Sequence, residues 1–111
     1  MKIELAPKNA AAPEMLKAEK NDRSRIGVHY VDAYLKPLKS GITLPDGVKF
    51  TARRRGLKVT LALGLIKGEG RMRRLSVSSD PVIMLRAALD EAGAKIGVRV
   101  LAEEGKLWLE K

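Results

Sequence analysis

His29 is the only imidazole in this 111-residue chain, and there is no cysteine. Nucleophile systems that pair Ser or Cys with a His base therefore have almost nothing to draw on. Disulfide scaffolds, thiol nucleophiles and zinc ribbons are excluded together. In Val28-His29-Tyr30 the imidazole reads as a packed strand residue rather than a general base. The carboxylates Asp22, Asp32 and Asp46 are separated by turn residues and form no metal-ligand spacing. Glu103-Glu104 belongs to an expected hairpin tip. Gly64, Gly68 and Gly70 flank Lys67 and Glu69, but phosphate-cradling and dinucleotide motifs require a strand leading into a helix, whereas these glycines lie between two strands. Apart from carboxylate chemistry on an unfamiliar motif, no catalytic residue, metal site, cofactor or small-molecule substrate is expected. The chain reads as non-enzymatic.

The residues that could do chemistry are cations. The net charge is +9, and it is unevenly spread. Residues 48–78 hold Lys49, Arg53, Arg54, Arg55, Lys58, Lys67, Arg71, Arg73 and Arg74 against Glu69 alone, while the segments on either side are close to balanced. Concentrated like charge repels itself in the folded state, so a clustered excess says more than a diffuse one. A solvated face that keeps the protein soluble is the plain reading, but mixed-sign surfaces do that with less repulsion. An anionic partner is favoured.

Alternating strands must position those cations. Pro45-Asp46-Gly47 is turn chemistry. Val48 to Arg54 and Leu57 to Leu65 then alternate apolar with polar residues. With Arg55-Gly56 as a two-residue loop, Ala52 faces Val59, Phe50 faces Leu61 and Val48 faces Leu63. Lys49, Thr51, Arg53, Lys58, Thr60 and Ala62 fall on the opposite side, a segregation that a one-residue slip would scramble. A third strand is expected over 71–77, after a loop from Ile66 to Gly70, pairing Leu61 with Leu75 and Val59 with Val77. Arg74 and Ser76 then join the polar face, and Arg71 and Arg73 take the other parity.

Asp80-Pro81 starts a helix over about 81–92, with Asp80 as cap, Pro81 in the first helical position and Gly93 as the left-handed terminator. A second hairpin turns at Glu104-Gly105, pairing Ala102 with Leu107, Val100 with Leu109, Leu101 with Trp108 and Arg99 with Glu110. The expected fold is α+β: a mainly antiparallel sheet of about five strands with that helix on its apolar face, and room for one parallel pair across the step from Val77 to Ile96. Residues 26–111 form the domain, with strand composition over 26–31 and a helical turn from Asp32 that Pro37 limits. Residues 1–25 read as a loosely ordered segment, with a short strand at Met1–Leu5 and a short helix over 13–20. Leu101 and Trp108 lie away from the helix and need a cover, so they mark a candidate interface with the N-terminal segment or a second subunit.

The expected function is nucleic-acid binding, to duplex DNA or structured RNA, through backbone phosphates. Guanidinium groups match phosphate oxygens bidentately, and clustered cations release counterions on binding. Single-strand binders stack bases on exposed aromatics, yet the only aromatic in this region is Phe50, which the register buries. The competing reading is a protein-interaction module or homodimer docking an acidic partner. Attraction to anionic lipid ranks last, because no basic amphipathic helix accompanies the charge. No apolar run approaches the roughly 20 residues that cross a bilayer, and a cytoplasmic protein is expected.

Overall fold

Val31, Tyr34, Leu35 and Leu38 recur at helical spacing, and in the computed structural model they are the buried stripe of helix α1, Arg23–Lys39. The structure describes residues 2–5, 23–73, 81–103 and 106–111. Helix α1 replaces the strand expected over 26–31. A short apolar run does not separate the two forms, but a stripe that continues past Val31 with helical period does. Pro37 lies in the last turn and forfeits the one bond its N–H would make to the Ala33 carbonyl, yet the helix runs on to Lys39. Gly41, at φ 87°, ends it, donating its N–H to the Leu38 carbonyl at 3.2 Å. The helix expected over 13–20 lies outside the described residues.

Four strands follow as an antiparallel meander: β2 (Ile42–Thr43), β3 (Lys49–Arg55), β4 (Lys58–Leu63) and β5 (Ile66–Arg71), hydrogen-bonded in that order. Asp46 holds the β2–β3 turn by accepting the Val48 N–H at 3.0 Å. Two-residue Gly-Leu turns make the next two hairpins. Gly56 (φ 60°) and Gly64 (φ 63°) take their first positions, where a left-handed residue matches the twist of the flanking strands. The β3–β4 register therefore differs from expectation: Arg55 opposes Lys58, Ala52 opposes Leu61 and Phe50 opposes Leu63. The slip is of two residues, so both faces keep their composition.

The third strand is a larger correction. It runs over Ile66–Arg71 rather than 71–77, pairing Leu61 with Gly68 and Val59 with Gly70. Its inward positions are glycines because helix α2 (Pro81–Ile96) lies directly on them. A Cβ on Gly68 would strike the Ala92 carbonyl oxygen, and one on Gly70 would strike that of Ala88. No side chain is there to signal burial, so the stretch reads as a loop in sequence. Residues 74–80, including Arg74 and the Asp80 cap, lie outside the described residues.

Helix α2 begins at Pro81 as expected but continues to Ile96. Gly93 lies inside it, and the left-handed terminator is Gly97 at φ 75°. The Val98 N–H returns to the Gly93 carbonyl at 2.9 Å, closing the helix end.

Strands β6 (Arg99–Glu103) and β7 (Lys106–Glu110) pair in the expected register: Val100 with Leu109, Leu101 with Trp108 and Arg99 with Glu110. Strand β1 (Lys2–Leu5) adds to the other edge of β7, giving a second sheet in the order β1-β7-β6. The architecture is α+β, and the described residues form seven strands in two antiparallel sheets rather than about five in one. Among the described residues no parallel pair forms. One core joins the parts: Leu35 and Leu38 from α1, Leu85 and Leu89 from α2, Phe50 and Leu61 from one sheet, and Leu5 and Leu109 from the other are almost fully buried. Each such leucine contributes about 2 kcal/mol by leaving water.

Candidate nucleic-acid interface

Burial of Phe50 and Ala52 turns Lys49, Thr51, Arg53 and Arg55 outward from β3. The same alternation brings out Lys58, Thr60 and Ala62 from β4 and Lys67, Glu69 and Arg71 from β5. Side by side, these make rows across the sheet: Thr51–Ala62–Lys67, Arg53–Thr60–Glu69 and Arg55–Lys58–Arg71. The last row sets three cations directly opposite one another, an arrangement that costs stability in a sheet. Thr51, Thr60 and Ala62 are small and half-buried, and the cations around them are exposed. The surface is flat in the middle and positive around its rim.

Glu69 is the one acid on this face, and Lys58 Nζ lies 2.8 Å from its Oε1. That hydrogen bond, helped by the charges of Lys58, Lys95 and Arg71, holds the Glu69 carboxyl below the usual carboxylate range. Among the described residues of this face, six cations therefore meet a single carboxylate. Arg73, just past β5, is exposed, while Met72 beside it is buried and donates its N–H to the Leu57 carbonyl at 2.7 Å. Arg71, expected on the apolar parity, stands on the outer face because the strand that carries it is the earlier one.

Arg54 is separated from the group. It shares the inward parity of Phe50 and Ala52, and at the end of the sheet it meets α1. Its Nε donates to Asp32 Oδ1 at 2.8 Å, its Nη2 to Asp32 Oδ2 at 3.0 Å, and its Nη1 to the Gly56 carbonyl at 2.8 Å. The pairing with Asp32 raises the guanidinium pKa further above its usual value. Arg54 is thus a strut between α1 and the β3–β4 turn. Lys39, which carries no signal of its own in the sequence, lies 3.8 Å from Asp32 Oδ1. With Arg53 and Arg54 it lines an open depression of about 290 Å³, so the positive surface wraps round the β3 edge. Only the three-dimensional pairing of α1 with β3 brings Lys39 there.

On the three-stranded sheet, Leu101 and Trp108 stand opposite each other, half-buried, on the side facing away from the core. Strand β1 extends that sheet sideways and sets Glu4 beside Trp108. Lys2 pairs with Glu103 at 3.2 Å, Lys106 with Glu4 at 3.2 Å, and Arg99 with Glu110. This face balances its charges.

Among the described residues, no group of three or more His, Asp or Glu side chains could hold a metal ion. No helix there is long and apolar enough to cross a membrane. In comparisons with known proteins, no family model matches the chain, and no curated protein or solved structure matches it either.

Proposed function

We propose that the protein binds nucleic acid, as duplex DNA or structured RNA, by laying the outer face of the four-stranded sheet against backbone phosphates. The observation that carries this reading is the concentration of Lys49, Arg53, Arg55, Lys58, Lys67 and Arg71 on one sheet face with Glu69 as the only acid among its described residues. Three of those cations are guanidinium groups, which engage phosphate oxygens in pairs. Among its described residues the face carries no aromatic ring, since Phe50 is buried beneath it. Base stacking is therefore not its mode of contact, and a duplex outline with phosphates on the outside suits it better than an unpaired strand. The small residues at its centre let a phosphate ridge approach the backbone while the rim cations reach around it.

Fluorescence anisotropy across a salt series tests this, with labelled duplex DNA, hairpin RNA and single-stranded DNA. Engagement of most of the face gives a log–log salt slope of about −3 to −5, from the counterions released per phosphate. The Arg53/Arg55/Arg71→Ser variant should lower that slope by about one for each phosphate it no longer engages. Absence of binding to any of the three at low salt would overturn the reading and turn attention to acidic protein partners.

A further inference from the structure

The two Gly-Leu turns differ in what they expose. Leu57, in the β3–β4 turn, is about half exposed and alone, and its carbonyl is taken by Met72. In the β4–β5 turn Leu65 is 99% exposed, and Ile66 beside it is 59% exposed. Half-buried Leu63 and Val48 support that tip: Leu63 pairs with Ile66, and the Val48 side chain lies in ordinary contact distance of the Gly64 position. An adjacent Leu-Ile pair at a hairpin tip is costly to leave in water, where turns ordinarily place polar residues. Lys67 and Lys49 stand on the outer face at this end, and the Lys49 carbonyl accepts the Gly64 N–H at 2.8 Å. The apolar tip is therefore continuous with the positive face.

Resting on the nucleic-acid reading above, we infer that Leu65 and Ile66 form a wedge that enters a base step of the bound duplex and bends it, while the face behind holds the phosphates. Proteins that bend duplexes insert Leu or Ile side chains between neighbouring base pairs and partly unstack them. The placement of charge selects this occupant over a lipid surface. From the tip to the row Arg55–Lys58–Arg71 is about 20 Å along the strands at the usual rise per residue. With the tip past the headgroups of a bilayer, Lys49 and Lys67 would reach them, but that row would stand roughly 10–15 Å above, past one screening length at physiological salt. With the sheet flat on the bilayer, the tip would not enter it. A duplex, unlike a bilayer, can kink at a single base step, so one that lies along the face and turns over its end meets the cations and the tip together. Flexible pyrimidine–purine steps, which unstack most easily, are the expected points of entry.

The test uses the full chain and a duplex of about 20 base pairs, chosen to exceed the length of the face at 3.4 Å per pair along each strand. Its centre carries 2-aminopurine to report unstacking, and its ends carry a donor–acceptor pair to report bending. With the parent protein at saturation, 2-aminopurine fluorescence should rise at least twofold and the end-to-end transfer should increase. Leu65→Ser and the double variant Leu65→Ser/Ile66→Ser should bind with the parent salt slope and lose both signals. These residues are exposed, so a matching thermal melt checks that the variants are folded. Binding by the parent without either signal, or signals that persist in the double variant, would overturn the wedge while leaving the phosphate-binding face intact. No duplex binding at all would overturn both. Vesicles of anionic phosphatidylserine run in parallel: capture that depends on Leu65, without duplex distortion, would overturn the wedge in favour of a membrane.

Discussion

The two sheets of this protein are built alike and finished differently. Each is antiparallel, turns an apolar face into the same core, and presents an alternating polar face to solvent. On the three-stranded sheet every outward cation has a carboxylate partner: Lys2 with Glu103, Lys106 with Glu4, and Arg99 with Glu110. On the four-stranded sheet one carboxylate serves six cations, and three of these stand in a single row. Among the described residues, the chain pairs its surface charges on one face and leaves most of them without a carboxylate on the other. A general need for solubility would not distinguish the two faces, whereas the proposed anionic partner for one of them would.

The strongest way to break the comparison is to remove the support under the basic face. Gly70→Ala places a methyl group against the Ala88 carbonyl on the α2 backbone, which has no free side-chain end to yield. Urea unfolding should show a loss of about 3 kcal/mol, at the upper end for an overpacked contact. Gly47→Ala, with open space around it but φ at 82°, should cost about 1 kcal/mol. Equal losses at the two positions would show that α2 does not rest on β5 as described.

Next in size is the charge itself. The Arg53/Arg55/Arg71→Ser variant should weaken duplex binding by roughly 30- to 100-fold at low salt, about 2–3 kcal/mol. The matched variant Lys2/Arg99/Lys106→Ser removes three cations from the balanced face and should change affinity less than threefold. Equal losses in anisotropy would reduce the comparison to net charge. Asp32→Ala should be milder in binding and sharper in stability. It strips the partner from a largely buried Arg54 and should cost about 1–2 kcal/mol in a thermal or urea melt. The smallest effect belongs to Glu69→Gln, which should tighten duplex binding by two- to threefold. Because the Glu69 carboxyl titrates below its usual range, its ion pair with Lys58 is intact above that range and lost as pH falls through the lowered value. Parent binding should therefore strengthen on acidification in that window, with slightly lower stability, and the Gln variant should lack this share of the change.

Much of this was legible in the chain, and the misses have particular causes. The β6–β7 register follows from strict alternation around Glu104-Gly105, where only one pairing keeps Leu107 and Leu109 with Ala102 and Val100. In the β3–β4 hairpin, alternation fixed the faces but not the register, because Arg55-Gly56 and Gly56-Leu57 give loops that differ by a two-residue shift. The left-handed Gly56 at the first turn position decides between them. Strand β5 was missed because its inward residues are Gly68 and Gly70. Their burial depends on Ala88 and Ala92, about twenty positions away, and leaves no apolar signal in the strand. The cations at 49, 53 and 58 could be placed by parity, since parity survives an even shift, whereas Arg55 and Lys67 read as loop residues and gain their place on the face only from the observed strand bounds. Arg71 followed the misplaced strand. Arg54 differs from its neighbours only through Asp32 on α1, a helix whose Val31–Leu38 stripe was the available signal.

The outer edge of β5 carries one more consequence. Lys95 Nζ donates to the Glu69 carbonyl at 3.0 Å, and Glu91 Oε2 accepts the Arg71 N–H at 3.3 Å. Both side chains come from α2, so the helix that covers the sheet also occupies main-chain groups along its margin. An unpaired strand margin is the template on which a second chain can add and sheets can grow without limit. Here that growth meets a lysine and a glutamate already seated in the positions an incoming strand would need. Two of the main-chain groups on the β5 margin are thereby engaged already, which opposes strand addition on that side and leaves the broad face exposed.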